Sequence, residues 1–231
     1  MARLEIAEIR IVKPEDVAKD AASWIADRLK AAILARGSAS IALSGGNTPK
    51  KVYEALAGFP LEWPGVHFYF GDERCVPPDH PDSNYRMAKE ALFDRVGATL
   101  VHRMHGERDD QAAAASDYAK ELPDSIDVVL LGMGEDGHTA SLFPGTDWSR
   151  PTGRKVIAVS GAPKPPPQRL SITPDVIWDA GSRLVLATGS GKAEQVRRAL
   201  EGDADPEHYP VHTAKNATWL LDPDAATLLA K

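Results

Sequence analysis

One histidine stands among glycines and acids in the middle of the chain, and this group has the composition of a proton-transfer site. Residues 130–144 read LLGMGEDGHTASLFP, so Asp136 and His138 are two residues apart in a glycine-framed loop. An imidazole exchanges protons near neutral pH, and a carboxylate beside it can orient the ring and stabilise its charged form. The other histidines lack such a setting. His138 is therefore the candidate general base.

Cations and glycine-rich turns elsewhere in the chain indicate a phosphorylated ligand. SGGNTP (44–49), GDER (71–74) and GSGK (189–192) each follow an apolar, strand-like run. Free N–H groups at a helix start bind anions, and the proline-stiffened segment 162–171 presents further cations. Asp72 is a second acid at a strand end. The candidate ligand-binding residues are Ser44, Gly45, Gly46, Arg74, Lys164, Arg169 and Lys192.

Two glycine motifs imitate nucleotide-binding sequences without their context. The glycines of residues 132–137 match G-x-G-x-x-G after a strand. However, Pro144 interrupts the helix that should follow, and the next strand candidate ends in Ser160 instead of an acid. GSGK lacks the first glycine of a P-loop and has Ala193 where Ser or Thr should follow the lysine. Neither motif predicts a nucleotide.

Metal and thiol chemistry have less support. Asp72, Asp136 and His138 would together suit several divalent ions, but no H-x-x-x-H or cysteine–histidine pair accompanies them. Cys75 is the single cysteine, and its neighbours supply no base. We expect neither a metal site nor a cysteine nucleophile.

The composition places these groups in an acidic protein of a reducing compartment. The chain has 231 residues, 43% of them hydrophobic, and a formal net charge of −6, which disfavours nucleic acids and anionic membranes as partners. A lone cysteine excludes an internal disulfide. The N-terminus lacks the apolar core and cleavage site of a signal peptide, and no run reaches the roughly 18 apolar residues of a membrane span. We expect one cytoplasmic domain over residues 1–231, a monomer with a weak homodimer as the alternative.

Strand-like and helix-like segments alternate along the chain. Predicted strands are residues 6–12, 41–43, 66–70, 126–131, 156–159 and 184–188, with one or two more in 210–221. Predicted helices are 14–36, 48–57 with Thr48 as N-cap, 84–95, 111–121 and one after GSGK to about residue 200, with final turns at 224–231. This order predicts an α/β fold, an open, mainly parallel sheet with helices on both faces, doubly wound and Rossmann-like. The loops 44–49, 71–74, 132–138 and 189–192 should then meet at one edge.

Several segments taken together resemble the 6-phosphogluconolactonases. They are SGGNTP (44–49), GDERCVP (71–77) with SNYR (83–86), GMGEDGHTASLFP (132–144), KPPPQRLSIT (164–173) and GSGKA (189–193), which agree in order and spacing between about residues 40 and 200. The resemblance implies a cytosolic esterase of the pentose phosphate pathway. Such an enzyme hydrolyses 6-phospho-D-glucono-1,5-lactone to 6-phosphogluconate with no cofactor. It also implies a sheet related to that of the glucosamine-6-phosphate isomerase/deaminases.

The resemblance leads to a hypothesis for the mechanism. His138 removes a proton from the water that attacks C1 and returns a proton to the departing ring oxygen. Asp72 or Asp136 orients the imidazole, and Arg74, the glycine N–H groups or another nearby cation stabilises the oxyanion. The 6-phosphate is assigned to Arg169, Lys192 and the Gly45–Gly46 turn, with Lys164 as a further member.

Two other functions are alternatives. The deaminases are similar in the D-G-H of residues 136–138, but they carry D-G-H-x-A-x-x-E-P, in which the glutamate helps the histidine to open the sugar ring. Phe143 stands at that position here, so the ring-opening relay is incomplete.

A non-catalytic sugar-phosphate-binding regulator is the other alternative. Such regulators normally bring a separate DNA-binding unit, and the chain before residue 40 contains only a predicted strand and helix, without a basic segment.

Overall fold

The computed structural model describes residues 8–146, 148 and 153–230. The strands in this part of the chain are β1 (Glu8–Ile11), β2 (Ala39–Leu43), β3 (Val66–Phe70), β4 (Asp72–Arg74), β5 (Leu100–Val101), β6 (Val128–Gly132), β7 (Val156–Val159), β8 (Arg169–Ile172), β9 (Ser182–Ala187) and β10 (Thr218–Leu221). Seven of them form a parallel sheet in the order β1-β10-β9-β6-β2-β3-β5. The predicted open, mainly parallel sheet is therefore confirmed.

Helices connect the parallel strands and cover the sheet. They are α1 (Val17–Arg36), α2 (Asn47–Leu56), α3 (Asn84–Ala88), α4 (Asp94–Val96), α5 (Gln111–Glu121), α6 (Pro174–Trp178) and α7 (Ala193–Glu201), and a π-helical turn, Lys89–Phe93, joins α3 to α4. Every residue of β2 is buried, although successive side chains point to opposite faces. Both faces of the sheet centre are thus covered, as in other parallel sheets. No helix among the described residues is long and apolar enough to cross a membrane.

A second, three-stranded antiparallel sheet has the order β4-β8-β7. We expected residues 71–74 to form a loop, and this expectation is wrong for Asp72–Arg74. Gly71 marks the change of sheet: its N–H donates to the Leu43 carbonyl in the large sheet, and its carbonyl accepts from the Ile172 N–H in the small one, both at 2.8 Å. The chain therefore continues as a strand directly after β3.

The predicted elements agree with the structure except near turns. The strand at 66–70 and the helix at 111–121 have the predicted bounds. Thr48 is not the N-cap, because Gly46 (φ 111°) ends the turn and α2 begins at Asn47. Residues 210–221 hold one strand, β10, after a 3-10 helix at Pro210–Ala214, and residues 224–228 form turns. Residues 6, 7 and 231 of the predicted terminal elements lie outside the described residues.

Candidate functional site

Three glycine-rich loops and the start of β4 lie at the carboxyl end of the parallel sheet. Strands β9, β6, β2 and β3 are consecutive neighbours there. The Thr48 hydroxyl lies 3.3 Å from that of Thr188, and the Lys192 ammonium group donates to the Met133 carbonyl at 2.5 Å. These contacts join the loops after β2, β6 and β9, which confirms the predicted meeting for these three loops. The fourth segment, 71–74, is a strand from Asp72 onward, and Asp72 contacts Ser141 of the chain after β6.

The imidazole of His138 is held by Asp136 from the same loop. The Nδ1 atom of His138 lies 2.5 Å from Oδ1 of Asp136, which also accepts the backbone N–H of His138 at 3.1 Å. Burial alone would raise the pKa of the Asp136 carboxyl, but the hydrogen bond and charge of His138 lower it to about 2. An ionised carboxylate only accepts hydrogen bonds, so Nδ1 carries a proton, and in the neutral imidazole Nε2 keeps its lone pair.

The loop backbone makes the close approach of these two side chains possible. A Cβ atom on Gly134 would overlap the His138 ring and the Asp136 carboxylate. The Gly134 N–H donates to the His138 carbonyl at 2.8 Å, and Gly137 adopts a positive φ of 82°. Glycine is therefore required at 134 for space and favoured at 137 for conformation.

An aromatic ring packs against the imidazole. The ring centroids of His138 and Phe143 lie 4.7 Å apart, with 45° between the ring planes. Phe143 is buried with Val159 and Ala162, beside the antiparallel sheet. The residue that replaces the deaminase glutamate thus supplies an apolar contact to His138.

Asp72 belongs to a buried network and not to the His138 pair. Its Oδ2 atom accepts from the Ser141 hydroxyl at 2.6 Å, and its Oδ1 atom accepts from the Asn84 amide at 3.1 Å. The Arg169 Nη1 atom lies 4.0 Å from Oδ2. Of the two acids proposed to orient the imidazole, Asp136 makes the hydrogen bond.

The turn after β2 is fixed by the same network and by a buried tyrosine. A Cβ atom on Gly45 would overlap the side chain of Asn84, so this glycine allows Asn84 to reach Asp72. The Tyr53 hydroxyl accepts from the Ser44 N–H and donates to the Ser44 carbonyl, both at 2.8 Å. Burial raises the pKa of Tyr53, so its hydroxyl remains a donor.

Glu73 and Arg74 have structural partners. The Glu73 carboxylate accepts three backbone N–H groups, those of Arg74, Asn84 and Tyr85, and thereby holds the start of α3. Burial raises the pKa of Glu73, while these hydrogen bonds favour its charged form. The Arg74 guanidinium donates to the Asp82 carbonyl at 2.7 Å, and its buried Nε has no hydrogen-bond partner in the described structure.

The candidate cations differ in how freely they face a ligand. Arg169 is buried: its Nε donates to the Pro166 carbonyl at 2.7 Å and its Nη2 to that of Lys164 at 3.0 Å. Its Nη1 atom lies 4.0 Å from the Asp72 carboxylate. Lys192 lies close to the His138 loop, and burial lowers its pKa, an effect that the charge of Glu135 opposes. Lys164 is exposed, and its charge also acts on Lys192.

Two alternative sites find no support among the described residues. No group of three or more His, Cys, Asp or Glu side chains there has the arrangement of a metal site. Burial and the charge of Glu73 raise the pKa of the Cys75 thiol to about 11, which keeps it protonated and unreactive at neutral pH.

Sequence reasoning missed two members of the site. Ser141 and Asn84 complete the hydrogen bonds of Asp72, yet neither was singled out. Asn84 lies at the start of the predicted helix in SNYR, and Ser141 follows D-G-H by three residues. The only signal was their position inside recognisable motifs, because their partner is distant in sequence.

The fold and the site together define a doubly wound α/β protein with a histidine–carboxylate pair at its strand ends. The sequence profile of the glucosamine-6-phosphate isomerases/6-phosphogluconolactonase matches residues 12–221. A 6-phosphogluconolactonase of Synechocystis is 39% identical over 87% of this chain and 89% of its own length. The chain belongs to this family.

Solved structures agree with that assignment. The 6-phosphogluconolactonase from Trypanosoma cruzi has a TM-score of 0.86 at 29% identity, covering 98% of each chain. A monomeric glucosamine-6-phosphate deaminase has a TM-score of 0.84 at 24% identity, covering 96% of this chain and 99% of its own, and at that identity the likeness shows the fold alone.

Proposed function

We propose that this protein hydrolyses 6-phospho-D-glucono-1,5-lactone to 6-phospho-D-gluconate in the oxidative pentose phosphate pathway. We further propose that it acts as a single cytoplasmic domain without a cofactor. The hydrogen bond between Asp136 and the Nδ1 atom of His138 carries the proposal, because it leaves a basic nitrogen at the strand ends. The curated relatives at 36–39% identity that bear the name 6-phosphogluconolactonase supply the substrate.

The proton transfers follow from the tautomer of the imidazole. The Nε2 lone pair takes a proton from water as the water oxygen bonds to C1 of the lactone. The resulting imidazolium is stabilised by the Asp136 carboxylate, which remains ionised because its pKa is about 2. When the tetrahedral intermediate collapses, the bond from C1 to the ring oxygen breaks, and Nε2 returns the proton to that oxygen.

The phosphate end of the substrate is assigned to cations of the neighbouring loops. Lys192 lies beside the His138 loop through its hydrogen bond to Met133, and Lys164 adds a second positive charge nearby. The Gly45–Gly46 turn contributes backbone N–H groups at the start of α2. The Nη1 group of Arg169 is the remaining candidate donor.

A direct assay tests the proposal. Freshly generated 6-phosphogluconolactone should release acid in the presence of the protein well above the spontaneous rate. Glucosamine 6-phosphate, supplied in parallel, should release no ammonia, because Phe143 and not an acid packs on His138. Acid release at the spontaneous rate would overturn the lactonase proposal, and ammonia release would favour the deaminase alternative.

A further inference from the structure

Glu135 is a negative charge among the site cations, and the proposed mechanism does not use it. The side chain is exposed and lies over the GSGK turn: a Cβ atom on Gly191 would be 3.2 Å from its Oε1 atom. Its charge raises the pKa of Lys192, whereas burial and Lys164 lower it. Glu135 is therefore close enough to influence any anion that Lys192 binds.

The two neighbouring acids of this loop differ in how their charge is balanced. The Asp136 carboxylate is hydrogen-bonded to His138, whose imidazole becomes positive during the reaction. Glu135 accepts no hydrogen bond within the described part of the chain. Its charge acts on Lys192, so Glu135 competes with any anion that Lys192 binds.

The proposed reaction changes the charge of the bound molecule. Hydrolysis of the lactone breaks the bond between C1 and the ring oxygen, adds a water oxygen to C1 and yields a carboxylic acid that loses its proton at neutral pH. The phosphate is present in both substrate and product, but the carboxylate is present only in the product. A negative charge beside Lys192 therefore repels the product, which carries one more negative charge, more strongly than it repels the substrate.

We propose that Glu135 is a specificity-determining residue that weakens anion binding at this site and thereby favours release of the more negative product. The identity of the product rests on the proposed function, whereas the effect on anion affinity does not. Because Glu135 is exposed to solvent, the effect should be a roughly 2- to 5-fold change for each added negative charge, and salt should reduce it.

Binding measurements with Glu135→Gln test this inference without turnover. Inorganic phosphate, sorbitol 6-phosphate and 6-phosphogluconate are titrated into the whole chain by calorimetry at low and high salt. Glu62→Gln is the matched control, since Glu62 is also exposed but precedes β3, at the amino end of the parallel strands. Neither substitution removes a hydrogen bond that the side chain makes in the described structure.

We expect Glu135→Gln to bind inorganic phosphate and sorbitol 6-phosphate roughly 2- to 5-fold more tightly than the unchanged protein, and 6-phosphogluconate more tightly by a further factor of about 2 to 5. Glu62→Gln should leave all three affinities unchanged. Equal gains for sorbitol 6-phosphate and 6-phosphogluconate would overturn the discrimination against product. Unchanged or weaker phosphate binding, an equal gain in Glu62→Gln, or no binding by any protein would overturn the inference as a whole.

A separate measurement distinguishes failure of the lactonase proposal from failure of the inference about Glu135. Lactone hydrolysis is measured on the same preparations. Absence of hydrolysis by the unchanged protein overturns the lactonase proposal, while the affinity differences between Glu135→Gln and Glu62→Gln still decide whether Glu135 weakens anion binding.

Discussion

The carboxylate of Asp136 accepts a hydrogen bond from the Nδ1 atom of His138 at 2.5 Å, across a single intervening residue. Because one residue separates them, the conformation of this loop is sufficient to bring the two side chains together. The turn brings the two side chains together because Gly134 leaves room for both and Gly137 adopts a positive φ. The pair determines which imidazole nitrogen is basic, and the proposed chemistry depends on that nitrogen.

Replacement of the imidazole should abolish most of the catalysis. We expect His138→Ala to lower kcat by roughly 10²-fold or more, with little change in KM, because a general base acts in the transition state. Steady-state hydrolysis of the lactone, corrected for the spontaneous rate, measures both constants. His105→Ala is the control, as His105 is exposed and its side chain contacts the Glu107 carboxylate. Full turnover by His138→Ala would remove the proposed role.

Removal of the Asp136 charge should impair the same step. An amide at this position no longer favours the proton on Nδ1 and no longer stabilises an imidazolium. We expect Asp136→Asn to lower kcat by roughly 10²- to 10⁴-fold at nearly constant KM. Asp72→Asn should behave differently, because Asp72 bonds to Ser141 and Asn84 and its loss should lower the thermal unfolding temperature. Equal kcat for Asp136→Asn and the unchanged protein would contradict the orienting role.

The depressed pKa of Asp136 predicts a pH dependence of stability. Its folded-state pKa of about 2 lies below the ordinary value of 3.8, so the carboxylate stabilises the folded state fully above the ordinary pKa. This contribution is lost as the pH falls through about 2. The difference in unfolding temperature between the unchanged protein and Asp136→Asn should therefore be largest above about pH 5 and should shrink toward pH 2. A difference in unfolding temperature that grows as the pH falls would contradict this prediction.

A single methyl group at Gly134 should disturb the pair without unfolding the protein. The added Cβ overlaps the His138 ring, so the ring must move from its position. We expect Gly134→Ala to lower kcat by roughly 10²-fold, the usual effect of misplacing a catalytic group by about 1 Å. Circular dichroism should show an unchanged fold. Gly58→Ala is the control, because its Cβ would make an ordinary 3.4 Å contact with the Ala55 carbonyl.

Two candidate phosphate-binding cations should respond differently to replacement by methionine. Lys192→Met should raise KM by roughly 10-fold with only a small fall in the unfolding temperature, since the half-buried lysine makes one hydrogen bond, to the Met133 carbonyl. Arg169→Met should lower the free energy of unfolding by about 3 kcal/mol, because it removes the donor to several carbonyls and leaves buried Asp72 without its cation. Urea unfolding and KM measurements separate the two effects. If Arg169→Met has the same free energy of unfolding as the unchanged protein but a raised KM, Arg169 acts mainly in ligand binding.

The local pattern of the sequence was sufficient to predict most strands of the large sheet. Apolar runs such as VHFYF and IDVVLL predict buried parallel strands, because strands covered on both faces are apolar throughout. The candidate proton-transfer residue His138 could also be predicted, since it lies with Asp136 in one short glycine-rich turn. Side chains of residues close in sequence within a tight turn lie near each other independently of the tertiary contacts of the chain.

Contacts between distant segments could not be predicted in this way. Residues 72–74 read as a charged loop, yet they form β4 because β8, about a hundred residues later, offers an antiparallel partner. The choice between Asp72 and Asp136 as the partner of His138 stayed open for the same reason. Asp72 finds Ser141, Asn84 and Arg169 only after the two sheets have formed.

The amino-acid sequence by itself thus determined the α/β class, the edge of the sheet that carries the candidate site and the candidate base His138, since these depend on periodicity and on neighbours in the chain. Only the tertiary structure decided that Arg169 is buried against carbonyl groups, that Asp72 belongs to a separate network and that Glu135 lies over the GSGK turn. Burial and charge–charge proximity arise from packing between distant segments, and no local pattern records them.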